Sequence, residues 1–379
     1  HRVTGVQTCA LPIYFKEICM ISISLCMIVK DEELVLGRCL NSVKNLVDEI
    51  IIVDTGSTDK TKEIAALYTD KIYDFKWIND FSAARNYSFS KATKDYIMWL
   101  DADDVLLEED YIKLQDLKES LDESVDMVVM KYNMSFDKNN NPCFSYNRER
   151  LLKRSMNYKW LSEVHEAISY YGNILYSPIA ISHKKIRETP VDRNLKIYEY
   201  ILSQGKKLAP REEFYYAREL MYNNRLDDAI EMFNSFINSP GGLIENKINA
   251  CKDLASCLFS QNKNVEGLQA LFRSFQFDEP RAEICCDIGY YFLDRQEYNK
   301  SIFWYELALT RHLDSTSSAF QFVDCYNYIP YIQLCVCYDK IGNKQKSSEY
   351  NELAGSVKPY DDYYIYNKNY FKNYFNDNQ

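Results

Sequence analysis

The 379-residue sequence has no excess of positive charge: 45 Lys and Arg stand against 55 Asp and Glu, a formal net charge of −10. A nucleic-acid binder needs a basic face for phosphates, so this balance argues against that class. Any phosphate-bearing ligand must be held locally, by a metal or a few cations. No apolar run reaches bilayer length. The longest, Ile18 to Val29, is shorter than the roughly 20 residues a spanning helix takes, and it contains Ser22 and Ser24. It also lacks the small-residue cleavage site of a signal peptide, because Lys30-Asp31-Glu32-Glu33 follows it. It reads as a buried strand. The twelve cysteines lack the paired spacing of a zinc site, even at Cys285-Cys286 and Cys335-Val336-Cys337, and most lie within apolar patterns. They read as reduced core thiols of a cytoplasmic protein. Residues 1–19 have no initiator methionine, and their first thirteen have no periodicity. Met20 is the expected native start, after a non-native leader.

Single cores stop growing near about 250 residues, so this length predicts two domains. From Ile21 onward short apolar runs alternate with helical patterns. Strands are predicted at Ser24–Val29, Glu49–Val53, Lys71–Asp74, Tyr96–Leu100 and Asp126–Tyr132, with further ones near Arg148–Leu152 and Ile174–Ser182. Helices are predicted at Leu34–Val43, Thr61–Tyr68 and Asn79–Ala92. This alternation implies an α/β fold with a mostly parallel sheet. Beyond about residue 190 the strand signal stops and paired amphipathic helices recur. Ala229, Gly267, Ser301 and Ser347 mark matching points of their second helices, with an insertion around His312–Phe320. That period is the signature of stacked helical hairpins of tetratricopeptide type. The expected organisation is an α/β domain over 20–190, a linking helix over 191–211, repeats over 212–360 and a tail or cap over 361–379.

Two predicted strands end in acids, where open α/β sheets gather ligands. Asp101-Ala102-Asp103 follows Ile97-Met98-Trp99-Leu100. A carboxylate pair there can hold Mn²⁺ or Mg²⁺ against the phosphates of a nucleotide diphosphate, or can simply form a solvated turn or helix cap. Asp54 follows Ile50-Ile51-Ile52-Val53 and is expected to sit exposed at the strand end, accepting from a base edge or ribose. Gly56 lets the backbone turn there, and Ser57 or Asp59 caps the next helix.

Four segments in register, Met27-Ile28-Val29-Lys30-Asp31-Glu32-Glu33, Ile52-Val53-Asp54-Thr55-Gly56-Ser57-Thr58-Asp59, Asp80-Phe81-Ser82-Ala83-Ala84-Arg85-Asn86 and Trp99-Leu100-Asp101-Ala102-Asp103-Asp104, together resemble family-two glycosyltransferases of the GT-A fold. The resemblance covers about residues 22–190. It implies an inverting transfer of a sugar from a nucleotide diphosphate donor, commonly a UDP-sugar. By position, Lys30, Asp31, Glu32 and Asp54 would line the nucleoside pocket. Arg85 would face the diphosphate or brace the acidic loop, against the bland alternative of a helix-surface salt bridge. Asp101 and Ala102 would contact the donor, and Asp103 would ligate the cation. Trp160-Leu161-Ser162-Glu163-Val164-His165-Glu166 and Ile181-Ser182-His183-Lys184-Lys185 resemble the subfamily in which such a domain precedes tetratricopeptide repeats. That implies Glu166 as the base, with Glu163 second, and His183 as a metal ligand. Lys184, Lys185 and Arg187 are either diphosphate contacts or a solvated basic run. The usual doubled histidine followed by Gly-Tyr is missing here, which leaves that loop's role open.

Stacked hairpins make a concave surface of the kind that grips peptides or another protomer, so a homodimer through the array is expected. The resemblance implies a peptide or protein acceptor, with saccharide or lipid-linked acceptors as alternatives. Their aromatics, Phe214, Tyr216, Phe233 and Tyr305 among them, read mostly as core. The rival class is a binding scaffold with an inactive sugar-nucleotide domain. A nucleotidyltransferase ranks below both, because Lys30-Asp31-Glu32-Glu33 stands where a Gly-rich basic loop would be.

Overall fold

The computed structural model describes residues 20–138, 140–186, 188, 190–313 and 321–377. Strands β1 (Ile23–Val29), β2 (Glu49–Asp54), β3 (Ile72–Asp74) and β4 (Tyr96–Trp99) alternate with helices α1 (Leu36–Val43), α2 (Thr61–Ala65) and α3 (Phe81–Phe89). They form the order β3-β2-β1-β4, parallel throughout. These strands read as continuous apolar runs because both faces are covered. Leu25, Met27, Ile52 and Met98 enter the core on one face, while Cys26, Ile51, Ile97 and Trp99 enter the core on the other. Helix α3 begins where expected, with the Asp80 carboxylate accepting from Ala83 N at 2.9 Å.

The remainder of the sheet is mixed. It comprises β5 (Asp104–Leu106), β6 (Met127–Phe136), β7 (Pro142–Lys153) and β10 (Ile174–His183), with helix α4 (Glu108–Ser120) after β5 and a small ribbon of β8 (Trp160–Leu161) and β9 (Ala167–Ile168). Beyond β4 the order is β7-β6-β10-β5; β7 is antiparallel to both neighbours and β10 is parallel to β6. The polar turn at 137–142 makes the β6–β7 hairpin, and a hairpin dictates antiparallel pairing. Because β2 and β4 flank β1 and run the same way, Asp54 and the acidic turn lie at the same carboxyl end of the sheet, roughly 10 Å apart.

Helix α5 (Arg193–Ser203) leads into the array. Its hairpins are α6 (Pro210–Tyr222) with α7 (Leu226–Asn238), α8 (Ile244–Ser260) with α9 (Asn264–Arg273), and α10 (Ala282–Asp294) with α11 (Tyr298–Leu309). After strand β11 (Gln321–Phe322) come α12 (Tyr328–Lys340) with α13 (Lys344–Val357), and then α14 (Asp362–Asp377). The four small marker residues are all buried where paired helices meet. Ser301 Oγ donates to Gly289 O at 2.8 Å and Ser347 Oγ to Cys335 O at 2.6 Å, the same contact in two repeats. A Cβ on Gly267 would run into the Phe259 ring. Most of the expected insertion, residues 314–320, lies outside the described residues. Directly after it β11 adds to β7, with Phe322 stacked on Phe144 at 4.9 Å. The two domains also share apolar packing, since Trp77, Phe81 and Val164 join the core of the first repeats. Among the described residues, no helix is long and apolar enough to cross a membrane, and all ten cysteines are free.

Candidate active site

A cavity of about 840 Å³ opens at the carboxyl end of the sheet, between the acidic turn, the loop 162–166 and the start of α5. Asp101, Ala102 and Asp103 line it. Their turn is shaped from below by a fourth acid. Asp104 is fully buried; its Oδ2 accepts from Asp101 N and from Arg150 Nη1, each at 3.0 Å, and its Oδ1 accepts from Tyr132 OH at 2.8 Å. Arg150 is itself fully buried, its guanidinium 3.8 Å from the centre of the Trp99 ring and 4.3 Å from that of Tyr132. It occupies this place through a β-bulge. Val128 pairs with Leu151 and Val129 with Glu149, so Arg150 is the extra residue on β7.

Arg85, projecting from α3, is buried and joins two carboxylates. Its Nη2 donates to Asp101 Oδ1 at 2.7 Å and its Nε to Glu166 Oε1 at 2.6 Å. Trp99 and Trp160 cover the guanidinium at 5.1 and 4.8 Å. Burial works against charge on Asp101, but Arg85 and Arg150 outweigh it and hold that carboxyl at about 2. Arg85 is therefore no helix-surface salt bridge. It braces the acidic turn and ties it to Glu166. Among the described residues Glu166 Oε2 has no hydrogen-bond partner, and Glu166 lines the cavity. Glu163 points elsewhere, to Lys206.

His183 ends β10. Its Nδ1 lies 3.0 Å from Tyr132 OH, 3.3 Å from Asp103 Oδ1 and 3.5 Å from Asp104 Oδ1. Burial lowers the affinity of this ring for a proton, but its hydrogen bonds to the Asp103 and Asp104 carboxylates more than offset that and raise its pKa to about 9. One ligand atom from each of Asp103, Asp104 and His183 lies within 4.8 Å of the others. Two hard carboxylate oxygens with an imidazole nitrogen suit Mn²⁺ or Mg²⁺.

Lys30, Glu32 and Lys185 line the same cavity. Asp31 lines an adjoining one of about 610 Å³ that shares Lys30, Glu32 and Asp103. Asp31 adopts φ +55°, and its carboxylate accepts from Thr58 N at 2.7 Å, which fastens the first motif to the second. Asp54 corrects an expectation: it is buried, not exposed. Its Oδ1 accepts from Gly56 N and Ser57 N, both at 2.9 Å, and its buried Oδ2 has no partner among the described residues. The N-cap of α2 is Lys60, not Ser57 or Asp59; Asp59, one residue before it, accepts from Thr61 N at 2.9 Å, while Ser57 Oγ accepts from Asp31 N. Lys184 packs on the Phe136 ring at 3.4 Å, and Arg187 lies outside the described residues. The reading of the sequence missed Tyr132, Asp104, Arg150 and the role of Trp160. The available signal was an arginine inside an apolar strand, which demands a buried acid.

Residues 24–176 match the model of the family described as Glycosyl transferase family 2. A TPR repeat-containing protein of Synechococcus elongatus is 50% identical over 96 residues, 25% of this chain and 24% of that one. The SPbeta prophage-derived glycosyltransferase SunS of Bacillus subtilis is 28% identical over 280 residues, 70% of this chain and 64% of that one. The chain thus spans about a quarter and a little under two thirds of the lengths of these relatives. The crystal structure of S. aureus TarS aligns with a TM-score of 0.38 and 12% identity, over 65% of this chain and 54% of that one. The stretch that resembles glycosyltransferase family 2, residues 24–176, is the segment that builds the acidic turn and its braces.

Proposed function

We propose that the chain is an inverting, metal-dependent glycosyltransferase that moves a sugar from a UDP-sugar to a side chain of a peptide or protein. The observation that carries this reading is the convergence in one cavity of the Asp101–Asp103 turn, the acid–histidine cluster and Glu166. Asp103 and His183 would hold the cation, which when bound offsets the charge that grows on the leaving diphosphate. Lys30, Asp31, Glu32 and Asp54 form the nucleoside side. The unpartnered Asp54 Oδ2 supports a hydrogen bond from the N–H of a base edge. Asp101 and Ala102 border the donor, and Arg85 lies between them and Glu166, holding Asp101 ionised and itself hydrogen-bonded to Glu166. The acceptor heteroatom attacks the anomeric carbon, the bond to the diphosphate breaks with its electron pair leaving on the nucleotide, and Glu166 Oε2 takes the acceptor proton.

The domain limits at 20–190, 191–211 and 212–360 belong to this reading. So do a cytoplasmic location, supported by the free buried thiols, and a homodimer through the array, supported by the exposed Tyr360, Tyr363 and Tyr366 near its end. The test is hydrolysis or transfer from UDP- and GDP-sugars with Mn²⁺, using the full chain and Asp103→Ala. Turnover of a UDP-sugar that disappears in the variant is the expected result. Equal turnover in the variant removes the cation assignment, and no donor binding by calorimetry favours the scaffold reading.

A further inference from the structure

Residues 162–166 join β8 to β9 and present Glu166 to the cavity, yet Val164 and His165 are packed on the helical array. Ser162 and His165 both take left-handed backbone, φ +72° and +53°. Residues other than glycine keep such conformations when their surroundings fix them. For His165 the array provides that surrounding. Val164 is buried in the core of the first repeats. The Nε2 of His165 lies 2.7 Å from Glu219 Oε1 on α6, its ring stacks on Tyr215 at 4.3 Å and 17°, and its carbonyl accepts from the Arg211 guanidinium. Glu219 is buried and also accepts from Asn194 Nδ2 at 3.1 Å. Two consecutive residues of the cavity wall are therefore packed on the array, and the next, Glu166, reaches Arg85.

Arg85 fixes one oxygen of Glu166, but a single contact leaves the carboxylate free to turn about it. The direction of the other oxygen depends on the backbone at His165. We propose that Glu219, acting through His165, is a positioning residue for sugar transfer: the first repeat helix sets the loop so that Glu166 Oε2 faces the acceptor. The array is then a working part of the catalytic cavity, besides any acceptor it binds. This inference rests on the role given to Glu166 above.

Full-chain Glu219→Ala, Glu219→Gln and Glu166→Gln test it. Three measurements apply: amide exchange of segment 160–168, calorimetric affinity for UDP with Mn²⁺, and kcat and KM for hydrolysis of UDP-glucose and UDP-N-acetylglucosamine. Glu219→Ala is expected to speed exchange in the segment about tenfold or more and to lower kcat about 10- to 100-fold, with KM and UDP affinity within about twofold. Glu219→Gln, which still accepts from Asn194 and His165, should stay within about threefold of the parent. Unchanged loop exchange in Glu219→Ala overturns the proposal, and so does a loss of UDP affinity that matches the loss of kcat. The exchange measurement needs no donor. Full activity in Glu166→Gln would remove the base assignment alone, while the exchange result would still decide whether Glu219 sets the loop.

Discussion

The sheet domain and the helical array keep their interiors in register by different physics. Beneath the acidic turn charges meet: Asp104 with Arg150, both fully buried, and the buried Arg85 with the partly buried Asp101 and Glu166, with Trp99 and Trp160 packed around them. In the array, paired helices meet through small residues, and Ser301 and Ser347 repeat one short contact. The first region is specified by charge and hydrogen bonding, the second by volume. Substitutions that remove a charge should therefore be costly in the sheet domain, and substitutions that add volume costly in the array.

The largest effect is expected at Asp103. Asp103→Ala should lower turnover about 1000-fold, or about 4 kcal/mol in the barrier, with the urea unfolding midpoint little changed. Arg150→Leu should cost about 3–5 kcal/mol in urea unfolding, because it strips Asp104, at zero exposure, of its guanidinium partner. A loss below about 1 kcal/mol would break the charge-based account.

Acid should act in opposite directions on the two regions. Glu49, buried on β2, receives hydrogen bonds from Lys71, Ser24 and Thr93, which outweigh burial and lower its carboxyl from 4.5 to about 2. A depressed folded pKa gives stability that is present above the unfolded value. That stability is lost as pH falls from about 4.5 through about 2, and amounts to about 2 kcal/mol after allowance for the exposure of Lys71. In the array, burial raises the carboxyls of Asp253, Asp287 and Glu283. A raised folded value means that the folded state binds the proton more tightly, so these acids favour folding as pH falls. Hydrogen exchange followed from pH 5 to pH 2.5 should show protection falling in β1 and β2 before α8 and α10; the reverse order would count against this contrast. The smallest effect is at Ser301, where Ser301→Leu should cost about 2 kcal/mol and Ser301→Ala about 1, by thermal unfolding.

Much of this was legible in the sequence. The strands β1, β2 and β4, the helix α3 capped by Asp80, and the acids at two strand ends follow from short apolar runs broken by polar residues. The period of the array shows in Ala229, Gly267, Ser301 and Ser347, because close helix packing restricts those sites to small side chains. Helix α4 and strand β5 were missed. Few positions of α4 are buried, and β5 exists because it pairs with β10, a strand far along the chain. Asp54 looked like an exposed ligand. Its neighbours Gly56 and Ser57, whose backbone amides hold it, are local, but the packing that buries it is not.

Sequence alone determined which residues carry charge at the strand ends, the order of the two domains and the pitch of the repeats, since all of these depend on neighbours within a few residues. Tertiary structure decided which charges pair. Arg85 was open between the diphosphate and the acidic loop until the β8–β9 ribbon brought Trp160 and Glu166 against it. Arg150 reached Asp104 only through a bulge. His165 became part of the cavity wall through Glu219, which belongs to the other domain. Coulomb interactions and hydrogen bonds depend on distance in space, and for these residues that distance is set by strand register and by the docking of the array.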